Sequence, residues 1–441
     1  MQTADIIITG GRIVTMNDSG EVITNGAVAI AGDRILAVGP TEDVQRHFRG
    51  LRTISAARHI VMPGLINSHS HVAMTCFRGF ADDMELQTWW NEYMFPAESR
   101  NLSPELAYWG TVLACAEMIK SGTTTFCDMY FFEDETAQAA KEAGMRCLVG
   151  EVLFDFPSPN AKNPAEGIDY TRKLIEKWAG DSLVSIVVEP HALYTCSDPL
   201  LKDAAALARE YDVPIATHFL ENLSELKQLK DKFGKKAVRH LQDLGYLQEK
   251  LILFHAVCLD DEDMTILADH GCKIVHNPES NMKLASGVAP VAKMLRRGID
   301  VALGTDGCAS NNNLDMFQEM DSAAKLAKVA ALDPTLLPAP EVVRMATRNG
   351  ALALGMETTG VLAPGKKADV ILINTRKPHL TPLYNEYSHL VYAVAGADVE
   401  TVIIDGKMVM ENRRLLTLDE EEAMSRVNEL ALKISGGMNR S

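Results

Sequence analysis

The chain has 441 residues, 47% of them hydrophobic and 23% charged, with 59 acidic against 43 basic side chains and a formal charge of -16. That length exceeds one ordinary domain and fits a large core plus an accessory piece, while the acidic balance argues against nucleic acid, whose phosphates call for clustered Lys and Arg. No run approaches the roughly 18 apolar residues that span a bilayer.

Met1 to Asp5 lacks the basic start and apolar core of a secretory leader, so a cytoplasmic protein is expected. Residues 6–39 alternate short β-rich runs with turns: Ile6 to Thr9, Arg12 to Thr15, Gly26 to Ile30, then Ile35 to Val38. This is the chemistry of a meander, and it returns at Gly365 to Ile373 and Thr401 to Val409. One small β-sandwich is therefore expected from 1–62 plus 360–441. Between them, over 63–359, apolar strand-like runs alternate with helical segments, as in a parallel (β/α)8 TIM-like barrel. Strand ends are expected near Asn67, Asp128, Glu151, His191, His218, His255, His276 and Asp306.

Val61 to His71 sets two imidazoles, His69 and His71, at i and i+2 after an apolar run. On an extended segment both face the same way and can converge beyond the strand's end, where a divalent metal would need them. A lone His-x-His is weak. His218, His255 and Asp306 strengthen it, because each closes a short apolar run and a parallel barrel gathers such strand ends at one mouth. Three imidazoles and a carboxylate suit Zn²⁺, although Fe²⁺ tolerates the same donors. The fourth strand end, Val188 to His191, has no lysine to carbamylate into a bridge, which favours a single ion per subunit. Glu221, three residues past His218, is placed for a proton shuttle. His255 could ligate a second metal or orient the nucleophile, and the second role is favoured. The eight cysteines contain no Cys-x-x-Cys pair and read as buried reduced thiols. No phosphate-binding glycine loop occurs.

Together, Pro63-Gly64, His69-Ser-His71, His218-Phe-Leu-Glu221, His255, His276-Asn-Pro278 and Gly304-Thr-Asp306 resemble the amidohydrolase superfamily, specifically its deaminases of 5'-methylthioadenosine and S-adenosylhomocysteine. The resemblance spans nearly the whole chain. It implies that His69, His71, His218 and Asp306 bind the metal, that Glu221 carries a proton from water to purine N1, and that His255 and Asp306 orient the attack on C6. It also implies that Trp89, in a loop running from Met74 to Glu98, covers the nucleoside, that Glu98 accepts from the ribose hydroxyls, and that His191 contacts the ribose or purine edge. The substrate is then a small purine nucleoside, and the assembly a homo-oligomer, dimer or tetramer.

One departure stands out. Relatives that hold the amino-acid tail of S-adenosylhomocysteine place arginines after the third strand, whereas this chain has none between Arg146 and Arg172 and offers Leu153, Phe154 and Phe156. These are expected to line the 5' end of the pocket and to favour a methylthio group over a carboxylate. The competing enzymatic reading is a triazine or guanine-type amidohydrolase, in which Glu98 would be idle. A noncatalytic scaffold is disfavoured, because ligands, shuttle and His255 occur together.

Overall fold

The computed structural model describes residues 1–85 and 88–438. Leu86 and Gln87, within the loop assigned above to the substrate, lie outside the described residues. Eight parallel strand segments form a barrel: Leu65–His71, Thr123–Tyr130, Arg146–Leu153, Val184–Ile186 with Glu189–Pro190, Ile215–Phe219, Leu251–His255, Lys273–His276, and Val301–Leu303 with Asp306–Gly307. Parallel bridges Val188 to Ile215 and Ala192 to His218 join the fourth strand to the fifth. Pairing of Asp306 with Ser70 and Gly307 with His71 brings the last strand back to the first. Every residue of Thr123–Tyr130 and of Arg146–Leu153 is buried, as expected of strands covered by side chains inside and helices outside. The crossover helices begin where the sequence caps them, with Ser103 accepting from Leu106 N–H before Pro104–Lys120 and Ser197 doing the same for Asp198–Tyr211.

Both chain ends build one nine-stranded sheet, in which Gln2–Val14 pairs with Val22–Ala31 and His59–Pro63 pairs with Val370–Asn374. Alternation along these strands divides their side chains. Val61, Val370, Leu372 and Ile403 enter a core with Ile6, Ile8 and Val28, while Ile60, Met62, Ile371 and Val402 face the barrel's main core. The sandwich therefore shares a wall with the barrel. Arg146, at the start of the third barrel strand, donates to both carboxylate oxygens of Asp369 and to Asp405, tying the bottom of the barrel to the sheet.

The chain passes directly from His59–Pro63 into the first barrel strand through Gly64. A Cβ on Gly64 would lie 2.0 Å from Thr124 Oγ1, so the glycine of the Pro-Gly motif permits a close approach to the second barrel strand at the junction. The final helix, Glu420–Met438, leaves the sheet and packs Ala423 against Val112 and Ala139 of the barrel's outer layer, with Arg426 over the Trp109 ring. No helix among the described residues is long and apolar enough to cross a membrane.

Candidate active site

The strand ends at one mouth deliver the expected donors together. His69 and His71 share a face of the first strand, their ring centroids 4.8 Å apart. His218 ends the fifth strand with its ring 5.0 Å from that of His69, and His255 ends the sixth at 5.5 Å from it. Asp306 approaches from the eighth strand, with Oδ1 3.4 Å from His69 Nε2 and 3.1 Å from His71 Nε2, and Oδ2 3.9 Å from His255 Nε2. Gly304 makes this approach possible, since a Cβ there would meet the His69 backbone nitrogen at 2.7 Å. Asp306 adopts φ +62, a costly conformation for a residue with a side chain, and is fixed by Ser280 Oγ at 2.6 Å and Ser310 Oγ at 3.1 Å on Oδ2.

The hydrogen bonding suits a cation. His71 Nδ1 donates to the Met129 carbonyl, His218 Nδ1 to the His191 carbonyl at 2.9 Å, and His255 Nδ1 to Asn281 Oδ1 at 2.9 Å. Each bond leaves Nε2 as the ring nitrogen that faces inward. His69 Nε2 is buried without a hydrogen-bond partner, an orphan that a metal would satisfy. Ligand atoms of His69, His71 and Asp306 lie within 4.8 Å of one another, and so do those of His69, His218 and His255. Burial lowers His69 to about 3, against the opposing pull of Asp306, and holds His218 well below its ordinary value, so both stay neutral. Burial acts the same way on His71, but Asp306 and Asp128 outweigh it and raise the group to about 9. Positive charge is thus favoured where the carboxylate meets the imidazoles.

These groups open on a cavity of about 650 Å³ bordered by His71, His218, His255, Asp306, Glu221, His191, Trp89 and Glu98. Of the expected metal ligands, His69 lies behind the lining, wholly buried and stacked on Phe254 at 3.8 Å. Glu221 accepts from Ser286 Oγ at 3.4 Å, and burial raises its carboxyl. Glu98 is not a surface acid: it is 2% exposed, takes a hydrogen bond from Tyr130 Oη, and burial pushes it to about 7. Trp89 is buried with Nε1 donating to the Ala81 carbonyl at 3.0 Å. Its neighbour Trp90 stacks on His191, ring centroids 5.8 Å apart. His191 Nδ1 bonds Thr195 Oγ1 at 2.8 Å.

Two expectations about the wall separate. Phe154 and Phe156 line the cavity and stack on each other at 4.7 Å. Leu153 does not, because strand alternation turns it outward to the core beneath the helices while Val152 points in. Sequence reasoning also missed Trp90, Tyr130, Asn281, Ser280 and Ser310. The His276-Asn-Pro-Glu-Ser280-Asn281 run carried a signal for Ser280 and Asn281, a polar cluster directly after a strand.

The amidohydrolase family pattern matches residues 60–409, and a short match to the imidazolonepropionase-like composite domain of bacteria covers 26–50. The chain is similar to the 5-methylthioadenosine/S-adenosylhomocysteine deaminase 1 of Syntrophus aciditrophicus (strain SB), 62% identical over 98% of each chain. It is also similar to the 5'-deoxyadenosine deaminase of Methanosarcina mazei, 44% identical over 98% of this chain and 100% of that one. Among solved structures, an adenosine deaminase from Xanthomonas campestris with bound zinc superposes with a TM-score of 0.97 at 36% identity, covering 99% of each chain.

Proposed function

We propose the following activity for this chain, which belongs to the amidohydrolase family: metal-dependent hydrolytic deamination of purine nucleosides, with 5'-methylthioadenosine preferred and adenosine and S-adenosylhomocysteine as further substrates. The observation that carries it is the convergence of His71, His218, Asp306 and Glu221 on one aromatic-walled cavity. His69, His71, His218 and Asp306 would hold one divalent ion per subunit, Zn²⁺ by the chemistry of the donor set and by likeness to the zinc-bound relative. When bound, the ion supplies a Lewis acid that lowers the pKa of water toward neutrality. Glu221 takes the proton of the attacking water and delivers it to purine N1. His255, steadied by Asn281, and Asp306 direct that water at C6, and as the tetrahedral carbon collapses to the 6-oxo product the remaining hydroxyl proton passes to the 6-amino group, which leaves as ammonia. Glu98 receives the ribose hydroxyls, Trp89 and Trp90 cover the nucleoside, and His191 meets its edge.

An ammonia-release screen over adenine, adenosine, 5'-methylthioadenosine, S-adenosylhomocysteine, guanine and melamine tests this. Turnover is expected on the nucleosides. Turnover confined to guanine or melamine would support the triazine or guanine-type alternative instead. Glu98→Ala should lose about 2 kcal/mol of transition-state binding, roughly 30-fold in kcat/KM, on ribosides. The estimate is modest because Tyr130 already engages one oxygen. If wild-type enzyme turned over a 2',3'-dideoxy substrate as well as the riboside, Glu98 would have no such role.

The preference among nucleosides follows from the wall. Among the described residues no Lys or Arg lines the cavity. Arg146 is committed to Asp369 and Asp405, and Arg172 to Glu210. Burying a methylthio group against Phe154 and Phe156 is worth about 1 to 2 kcal/mol relative to a hydroxyl, while a homocysteine carboxylate finds no bidentate partner. Values of kcat/KM should therefore rank 5'-methylthioadenosine above adenosine and above S-adenosylhomocysteine. Parity or better for S-adenosylhomocysteine would show that a cation reaches the pocket from elsewhere, such as a second subunit.

The division into a sandwich of 1–62 plus 360–441 and a catalytic barrel of 63–359 belongs to this reading, supported by the shared terminal sheet. So does a cytoplasmic homo-oligomer, dimer or tetramer, that binds neither nucleic acid nor membrane, in keeping with the charge of -16 and the prevalence of symmetric assemblies.

A further inference from the structure

The residue assigned as proton shuttle sits on backbone that the barrel does not hold by its N–H groups. The strand Ile215–Phe219 ends two residues before Glu221, and the intervening Leu220 has φ +49. A branched side chain in the left-handed region costs on the order of 1 kcal/mol or more and persists only where its surroundings fix it. Neighbouring backbone fixes the carbonyls, since Ala256 N–H donates to Phe219 O at 2.9 Å and Cys258 N–H to Leu220 O at 3.0 Å. The N–H groups of Leu220 and Glu221 point away from these partners, and a single side chain receives both. Glu225 Oε1 accepts from Leu220 at 3.0 Å and Oε2 from Glu221 at 2.8 Å.

Glu225 is itself anchored. It stands in the first turn of the helix Leu223–Phe233, and its N–H donates to Asn222 Oδ1, the N-cap, at 2.9 Å. A glutamate in the third position of a helix ordinarily reaches back to the N–H of the capping residue and completes a capping box. Here the carboxylate passes over Asn222 and takes the two N–H groups before it, which serves the strand end and not the helix. It is 5% exposed, and burial pushes it to about 7 against the pull of those N–H groups. A carboxyl buried at such a cost, beside another acid, is a poor device for stability alone.

We infer that Glu225 is the positioning residue of the proton shuttle: by gripping two successive backbone N–H groups it fixes the direction in which the Glu221 side chain enters the cavity. This rests on the role given to Glu221 above. Because it acts through Glu221, its removal should matter only while Glu221 can move a proton.

The test is a cycle of wild type, Glu221→Gln, Glu225→Gln and the double variant, each measured for kcat and KM on adenosine and for metal content. Glutamine keeps the volume but turns an NH₂ toward one backbone N–H. Glu225→Gln should lower kcat about 10- to 100-fold with KM and metal content within about twofold of wild type. Added to Glu221→Gln, it should cost less than about twofold more. Wild-type kcat in Glu225→Gln, or the same loss repeated in full on the Glu221→Gln background, would overturn the inference. Full activity of Glu221→Gln would instead bring down the shuttle assignment on which it stands. If Glu225→Gln does not fold, Asn222→Ala, which frees the first turn that carries Glu225, should show a smaller loss of kcat that likewise vanishes without Glu221. An unchanged kcat there would overturn the inference too.

Discussion

Glu221→Gln should lower kcat by about 10²- to 10⁴-fold while leaving metal content at the wild-type level. The two effects separate because Glu221 borders the cavity yet belongs to neither group of mutually close ligand atoms. The amide preserves size and can still accept from Ser286, whose hydroxyl lies 3.4 Å from Oε1. What it cannot do is take up and release a proton. Burial raises the native carboxyl above its ordinary value, which brings its proton affinity nearer to neutrality and suits a group that must accept from water and donate to a ring nitrogen within one turnover. Metal analysis alongside pre-steady-state ammonia release checks the prediction. Undiminished kcat would take Glu221 out of the mechanism, and a matching loss of metal would make it a ligand.

The barrel and its donors were legible because strand-end chemistry is local. A short apolar run followed by His or Asp marks a residue at the mouth, and closure of the barrel converts distant marks into neighbours. Loop residues lack that regularity. Trp89 and Trp90 are adjacent, and which of them faces His191 depends on the short π-helical segment Trp89–Met94 that no periodic pattern announces. Leu153 was misplaced because the third strand runs two residues beyond Glu151, so alternation sends Leu153 to the helices and Val152 to the cavity. Glu98 and Tyr130 lie on different elements, and their hydrogen bond exists only once the segment carrying Glu98 has packed over the second strand. Glu225 could have been flagged by its spacing of three from Asn222. That spacing would have suggested an ordinary capping box, whereas the structure shows it reaching farther.

Asp306→Ala should produce a loss of another kind, with metal content and rate falling together. The carboxylate meets both His69 and His71 on Oδ1 and presents Oδ2 toward His255, so it touches three of the buried imidazoles. Without it, burial would keep His69 neutral and His71 would lose the carboxylate it touches, leaving a bound cation with less negative charge to compensate it in a poorly solvated pocket. Several kcal/mol of transition-state stabilisation depend on the ion, so kcat should drop on the order of 10³-fold or more, with metal retained only at high added concentration. His69→Ala should show the same linked loss, since its buried Nε2, which makes no hydrogen bond, is the donor removed from the cluster. Stability gives a readout independent of turnover. Added Zn²⁺ should raise the melting temperature of the metal-stripped wild type, because a ligand that binds only the folded state stabilises it by mass action, and should raise that of either variant far less. Normal metal content in both variants would overturn the ligand assignment. Normal content with lost activity in Asp306→Ala alone would restrict Asp306 to orienting the water, a division that the 3.9 Å approach of His255 to Oδ2 already makes chemically sensible.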